Sequence, residues 1–262
     1  MEKQTADVLI LGSSRAMHHY DPDIIEDSLS MSCFNAGVDG QGILYHNAVL
    51  EVILNRYTPK IVILDVNSYE LNKSVKTYDL LGVLNPYVKR HPDLRKVVYL
   101  KSKFEKYKYI SSVYPYNSLL ARIVMGNLNV QTKDVSENGF TAQPGIWDGE
   151  LERDSFGIYE LDCNKKAALI SLVEHCKAND IQLYMVYSPS YKKYLNVSPS
   201  HKYIEEICKR ENIEFISFRN SASYMDNELF HDPDHLNDIG AAIFSKDLSH
   251  ILKEKIILKN KY

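Results

Sequence analysis

The chain has little of what marks a specialised class of protein. No run of about 18 or more apolar residues occurs, so no stretch has the length to cross a membrane as a helix. Charge of one sign is not in excess: 31 Lys and Arg stand against 34 Asp and Glu, a formal net charge of −3. That balance gives no electrostatic case for nucleic acid, whose recognition rests on a concentrated basic face. The basic tail "LKEKIILKNKY" reads as a solvated helix end. Cysteine is scarce. Cys33, Cys163, Cys176 and Cys208 show no close metal-type pairing, which disfavours a zinc site. Cys33 and Cys176 fall in apolar or helical stretches and read as buried free thiols. No secretory leader is visible, since "MEKQTADVLI" runs straight into an apolar stretch. The expected compartment is therefore the cytoplasm, or the bacterial envelope (periplasmic or secreted) if an amino-terminal leader has been removed. Internal repeats and low-complexity tracts are missing as well, which excludes repeat arrays.

What is present alternates. "DVLILG", "MSCFNAG", "KIVILDVNS", "IQLYMVYSP" and "IEFISF" are short, apolar, β-rich runs without strict alternation, as expected of parallel strands covered on both faces. Between them lie helical patterns such as "ILYHNAVLEVILNRY", "CNKKAALISLVEHCKAND" and "SHKYIEEICKREN", with "DIGAAIFSKDLSHILKEKI" after the last. This order predicts an α/β domain with a parallel sheet and right-handed crossovers. At 262 residues the chain can bury a sizeable core, and a single domain over residues 1–262 is expected. One connection is too long for a simple crossover. Residues 69–160 read as an insertion or lid subdomain, with helical stretches in "HPDLRKVVYLKSKFEKYKYI" and "NSLLARIVMGNLN" and then the loop "SENGFTAQPGIWDGEL". Its tyrosines, Tyr99, Tyr107, Tyr109, Tyr114 and Tyr116, suit either local packing or a sugar- or acyl-binding wall.

Chemistry is expected beyond the carboxyl ends of the strands. The first strand empties into Gly12, Ser13, Ser14 and Arg15, and the second into "NAGVDGQG". The third ends in Asp65, Asn67 and Ser68, and the last leads to "HDPDHLNDIG". A hydroxyl, glycines, an amide and a carboxylate with imidazole thus converge on one rim. That set suits acyl transfer. Serine is a poor nucleophile until an imidazole takes its proton, and a carboxylate must fix the imidazole tautomer. The oxyanion that forms needs preorganised N–H donors, for which glycine permits close approach. Each element also has a structural reading. "GSSR" suits a helix cap, and "DGQG" a tight turn lacking the lysine of a phosphate loop; Asn67 could bond local backbone, and "DPDHLND" could start a helix capped near Asn237 or Asp238.

The four segments, in this order, resemble the four sequence blocks of the SGNH (GDSL-type) hydrolase superfamily. "LGSSR" stands where that family has Gly-Asp-Ser, which places the nucleophile at Ser14. "NAGVDG" is similar to the second block, whose glycine N–H serves the oxyanion and matches Gly40. "LDVNS" resembles the third, whose asparagine donor matches Asn67. "DPDH" has the Asp-x-x-His spacing of the last, making Asp232 the orienter and His235 the base. The resemblance implies a three-layer α/β/α sandwich around a five-stranded parallel sheet, flavodoxin-like, with a helical insertion that it does not cover. It also implies a Ser-His-Asp esterase or deacylase needing no metal or organic cofactor. Its oxyanion site would combine the Ser14 and Gly40 N–H groups with Asn67. The implied partner is a small-molecule or polysaccharide ester, above all an O-acetylated carbohydrate.

Two departures stand out: Ser13 replaces the family's aspartate, and the third block lacks the Gly-x-Asn-Asp form. The Gly-Ser-Ser-Arg version also resembles envelope branches that handle acyl groups. An O-acyltransferase of envelope polysaccharide and an inactive glycan-binding or assembly module are thus alternatives. Arg15 either pairs with a nearby carboxylate or binds an anionic substrate, and "HHYDPDIIEDSL" is expected to open an exposed helix carrying His18 and His19. His235 is preferred to His231 as base, because its offset lets Asp232 fold back onto the ring. The oligomeric state is not legible.

Overall fold

The structure is a computed structural model that describes residues 4–102, 104–109 and 138–259. The expected helix "NSLLARIVMGNLN" and the residues Tyr114 and Tyr116 lie outside the described residues.

Five strands form one parallel sheet: β1 (Val8–Leu11), β2 (Cys33–Asn35), β3 (Ile61–Asp65), β4 (Gln182–Tyr187) and β5 (Glu214–Ser217). Their spatial order is β2-β1-β3-β4-β5, the flavodoxin-like doubly wound arrangement. Six longer or site-bearing helices flank it: α1 (Ser14–His19), α2 (Pro22–Leu29), α3 (Ile43–Leu54), α4 (Cys163–Ala178), α5 (Pro199–Glu211) and α6 (Asp238–Lys259). This is the α/β/α architecture that the family resemblance implies.

The strands read as unbroken apolar runs because both of their faces are buried. Leu9, Leu11, Val62, Leu64, Leu183 and Met185 point to a core shared with α3, α4 and α5. Their neighbours Val8, Ile10, Ile61, Ile63, Tyr184 and Val186 point to the other core, built with α1, α2 and α6 through Ala16, Tyr20, Ile25, Phe244 and Leu248. Successive side chains alternate between the two cores, as the period of a strand requires. Helix starts are set locally. Asp162 accepts from the backbone N–H groups of Asn164 and Lys165, and Ser198 accepts from that of His201.

In the described parts of 69–160, Leu71, Leu81, Leu84, Leu94 and Val98 are buried in the same core as α3. Tyr99 and Tyr109 meet edge to face with ring centres 5.9 Å apart, whereas Tyr107 is exposed. Further on, the Asn138 carbonyl accepts from Asn35 N at 2.9 Å, so the chain returns along the open edge of β2. Among the described residues, no helix is long and apolar enough to cross a membrane.

The register brings the strand ends level. Ile10 pairs with Asn35, Leu11 with Leu64 and Asp65 with Val186. Gly12–Ser14, the loop after Asn35 and Val66–Ser68 therefore leave the sheet along one rim.

Candidate active site

At the end of β1 the chain must turn sharply into α1. Gly12 makes the turn at φ +155°, and a Cβ there would lie 2.6 Å from the Ala16 Cβ and 2.9 Å from the Asp65 Cβ. Only glycine fits such a place. Ser13 occupies the cap position of α1 without a side-chain capping bond, and Ser14 is the first helical residue. The Ser14 Oγ lies 2.7 Å from Nε2 of His235, a residue 221 positions away in the sequence.

His235 is carried by a small antiparallel pair, Phe230–Asp232 with His235–Leu236. In the turn between them, Asp232 Oδ1 accepts from the backbone N–H groups of Asp234 (2.8 Å) and His235 (2.9 Å). The same carboxylate receives the ring: His235 Nδ1 is 2.9 Å from Oδ2 and 3.0 Å from Oδ1. A carboxylate at Nδ1 assigns the ring proton there, leaving Nε2 free to accept from the Ser14 hydroxyl. Burial works against the charge of Asp232. The bonds from the His235 ring and the turn N–H groups outweigh it and hold the carboxyl at about 2.

The neighbouring candidates are placed elsewhere. His231 Nδ1 meets the Pro144 carbonyl at 2.8 Å, and Asp234 pairs with Lys192 at 2.7 Å. Asn237 Oδ1 accepts from Gly240 N at 2.9 Å, so the helix-cap reading also holds, immediately after the His235 strand. Arg15 is buried. Its Nη2 donates to the Val66 carbonyl at 2.6 Å, its Nε lies 3.4 Å from Asp65 Oδ2, and the guanidinium sits 4.7 Å from the Tyr187 ring centre. It is spent on the protein and does not line the cavity beside Ser14.

His18 and His19 do not stand on an exposed helix face; both are buried. α1 packs against α6, where Phe244 meets the His19 ring edge-on at 6.2 Å. His19 Nε2 accepts from Leu236 N at 3.0 Å and its Nδ1 faces Ser188 Oγ at 3.1 Å, so the ring is neutral with its proton on Nδ1. Burial, then the Arg15 charge, pushes its pKa well below the usual histidine range. His18 Nδ1 meets the Thr141 carbonyl at 2.6 Å, and its ring stands edge-on to His235 at 5.7 Å.

A cavity of about 280 Å³ opens beside Ser14, and Ser13, Gly40 and Asn67 also line it. The structure thus brings Ser14, Gly40 and Asn67 to one wall, with Asp232 and His235 behind the hydroxyl. Gly40 adopts φ +71° in the loop after β2. The Asn67 amide is held at both ends: Oδ1 accepts from Tyr69 N at 2.9 Å and Nδ2 donates to Glu70 Oε2 at 2.7 Å. Tyr69, Glu70 and Lys165 are also among the lining residues, and sequence reading singled out none of them. For Glu70 a signal existed, its three-residue offset from Asn67; for Lys165, in the first turn of α4, there was none. A larger apolar hollow of about 690 Å³ lies between α3 and residues 83–94, and no candidate residue lines it. Among the described residues, no cluster of His, Cys, Asp and Glu is arranged to hold a metal ion.

No protein-family model and no curated protein matches the chain. Among solved structures it is similar to a protein assigned to the G-D-S-L lipolytic family from Desulfitobacterium hafniense DCB-2. That match has 11% identity and a TM-score of 0.45, and covers 93% of this chain and 98% of the other. It is also similar to a protein assigned as an acylhydrolase from Bacteroides fragilis NCTC 9343, at 12% identity and a TM-score of 0.43, covering 94% of this chain and 86% of that one.

Proposed function

We propose that this protein is a serine esterase or deacylase that cleaves carboxylic esters through Ser14, His235 and Asp232. The observation that carries the reading is the continuous chain of contacts from Ser14 Oγ to His235 Nε2 (2.7 Å) and from His235 Nδ1 to Asp232 (2.9 Å). Hydrogen-bond reach at both steps is what nucleophile activation needs.

As Ser14 Oγ attacks the ester carbonyl carbon, its proton passes to His235 Nε2 and the carbonyl oxygen becomes an oxyanion. The N–H groups of Ser14 and Gly40 and the Asn67 amide receive that charge. Losing one such donor typically costs on the order of 3 kcal/mol of barrier lowering. The imidazolium then gives its proton to the departing alcohol oxygen. A water, deprotonated by the same ring, attacks the acyl-enzyme and frees the acid. Asp232, held ionised, keeps the ring in the tautomer that both halves require.

The substrate class is an O-acetyl or similar short acyl ester of a carbohydrate. Its support is the wall beside Ser14: a half-exposed Tyr69 ring for a sugar face, with the amide and hydroxyl groups of Gln41, Asn72 and Thr77 close by. Residues 69–160 then act as an insertion within one domain that supplies part of this wall, a view supported by the burial of Leu71, Leu84 and Val98 in the common core. The test is turnover of p-nitrophenyl acetate together with fluorophosphonate labelling. Wild type should turn over, label on the Ser14 peptide, and lose both in Ser14→Ala. Activity surviving that substitution refutes the assignment, and failure to label favours a binding module on the same scaffold.

A further inference from the structure

We infer that Glu70 is the positioning residue of the oxyanion site: its carboxylate ties the Asn67 amide to the start of α3, locking the side-chain donor and the Gly40 loop into one geometry. This rests on the catalytic reading above. Glu70 is 4% exposed, and among the described residues no ion pair within 4 Å neutralises it. Its two oxygens divide their work. Oε2 accepts from Asn67 Nδ2 at 2.7 Å, and Oε1 accepts from Ile43 N, also at 2.7 Å.

Ile43 opens α3, and Gly40 lies three residues before it. The carboxylate therefore bridges the loop after β2 and the loop after β3, the two segments that carry Gly40 and Asn67. Only a side chain with two acceptors can do this, since glutamine would turn its NH₂ toward one of the two donors. The helix start favours a negative group at that point. Room is made for it as well: a Cβ at Gly42 would come within 3.3 Å of Glu70 Oε1.

The residue is costly to keep. Burial pushes its carboxyl up to about 7, against the pull of the Lys165 charge and the Ile43 N–H. Lys165 itself bonds the Asn72 carbonyl at 2.8 Å and Thr77 Oγ1 at 3.2 Å. A position needed only for packing would be filled better by an apolar side chain. Asn67 Nδ2 carries two hydrogens. With one fixed on Glu70, the direction of the other is fixed too, and a preorganised donor gains most from such fixing.

The experiment is a double-mutant cycle with Glu70→Gln and Asn67→Ala, read as kcat and KM on p-nitrophenyl acetate, with thermal melting of every variant. Asn67→Ala should lower kcat about 100-fold and Glu70→Gln about 10-fold, each with KM near wild type. The double variant should be no slower than Asn67→Ala alone. A second 10-fold loss in the double variant, or a lowered melting temperature with kcat unchanged, overturns the inference. If Glu70→Gln does not fold, the wild-type Asn67 side-chain amide protons decide by NMR. One downfield, slowly exchanging proton supports the bridge, and two rapidly exchanging ones refute it. Activity retained in Ser14→Ala instead removes the catalytic reading itself, whatever the cycle gives.

Discussion

Replacing Asp232 by asparagine separates orientation from packing better than any other change at this site. The amide has the size of the carboxylate, so its oxygen can still accept from the N–H groups of Asp234 and His235, the two bonds that shape the turn. The other end changes sign. An NH₂ group now faces His235 Nδ1 in place of Oδ2 and can only donate. Over the tautomer that would bond the amide oxygen at 3.0 Å, this favours the one with the ring proton on Nε2. That nitrogen is 2.7 Å from Ser14 Oγ and can no longer take its proton. A wrong tautomer of this kind costs about 10⁴-fold in kcat, or ~5 kcal/mol of barrier. Stability should change far less. Holding the carboxyl at about 2 rather than 3.8 corresponds to roughly 2 kcal/mol at about 1.4 kcal/mol per pH unit. With the side chain 36% exposed, screening leaves about 1 kcal/mol. Because the folded value lies below the unfolded one, that contribution is complete above about pH 4 and vanishes as pH falls through about 2. Steady-state kinetics on p-nitrophenyl acetate and urea unfolding between about pH 1 and about pH 5 measure both quantities. An asparagine variant within 10-fold of wild-type kcat would show that the carboxylate does not set the tautomer, and the proton path drawn from Ser14 would fail with it.

Two further perturbations probe the frame around Ser14. Gly12→Ala should destabilise by about 2–4 kcal/mol, because its Cβ meets Ala16 and Asp65 at a backbone angle that alanine avoids; an unchanged urea midpoint would refute the strain argument. Arg15→Met should cost about 3–5 kcal/mol by leaving the buried Asp65 without its cation; a melting temperature equal to that of wild type would mean that Tyr20 and Ser188 suffice to satisfy that carboxylate.

The sheet was legible because burial on both faces leaves a plain trace: "VLIL" and "IVIL" carry no polar residue where each side meets a core, and the first polar group of the third strand, Asp65, comes at its end. Asp232 and His235 were legible for a local reason, since an offset of three residues is enough for a carboxylate to reach back to its ring. Arg15 was ambiguous from the sequence because its partner, Asp65, lies 50 residues away on a neighbouring strand. His18 and His19 were misplaced for the same kind of reason. Their stretch looks polar, but His19 takes its cover from Phe244 of α6 and a hydrogen bond from the Leu236 N–H, 217 residues downstream, and His18 meets the Thr141 carbonyl, 123 residues downstream. Glu70 passes for an ordinary surface charge until Ile43 is seen beside it. Local rules thus gave the strands and the Asp232–His235 contact, whereas long-range pairing decided which polar groups the interior could accept.

The 221-residue separation between the hydroxyl and its imidazole has a consequence for biosynthesis. During translation Ser14 emerges 221 residues ahead of His235, so the two meet only after the intervening strands have been made. On the proposed proton path, Ser14 stays an ordinary alcohol until the hairpin that carries His235 is seated against α1. On that path, the appearance of turnover in a cell-free translation would time the seating of His235 against Ser14.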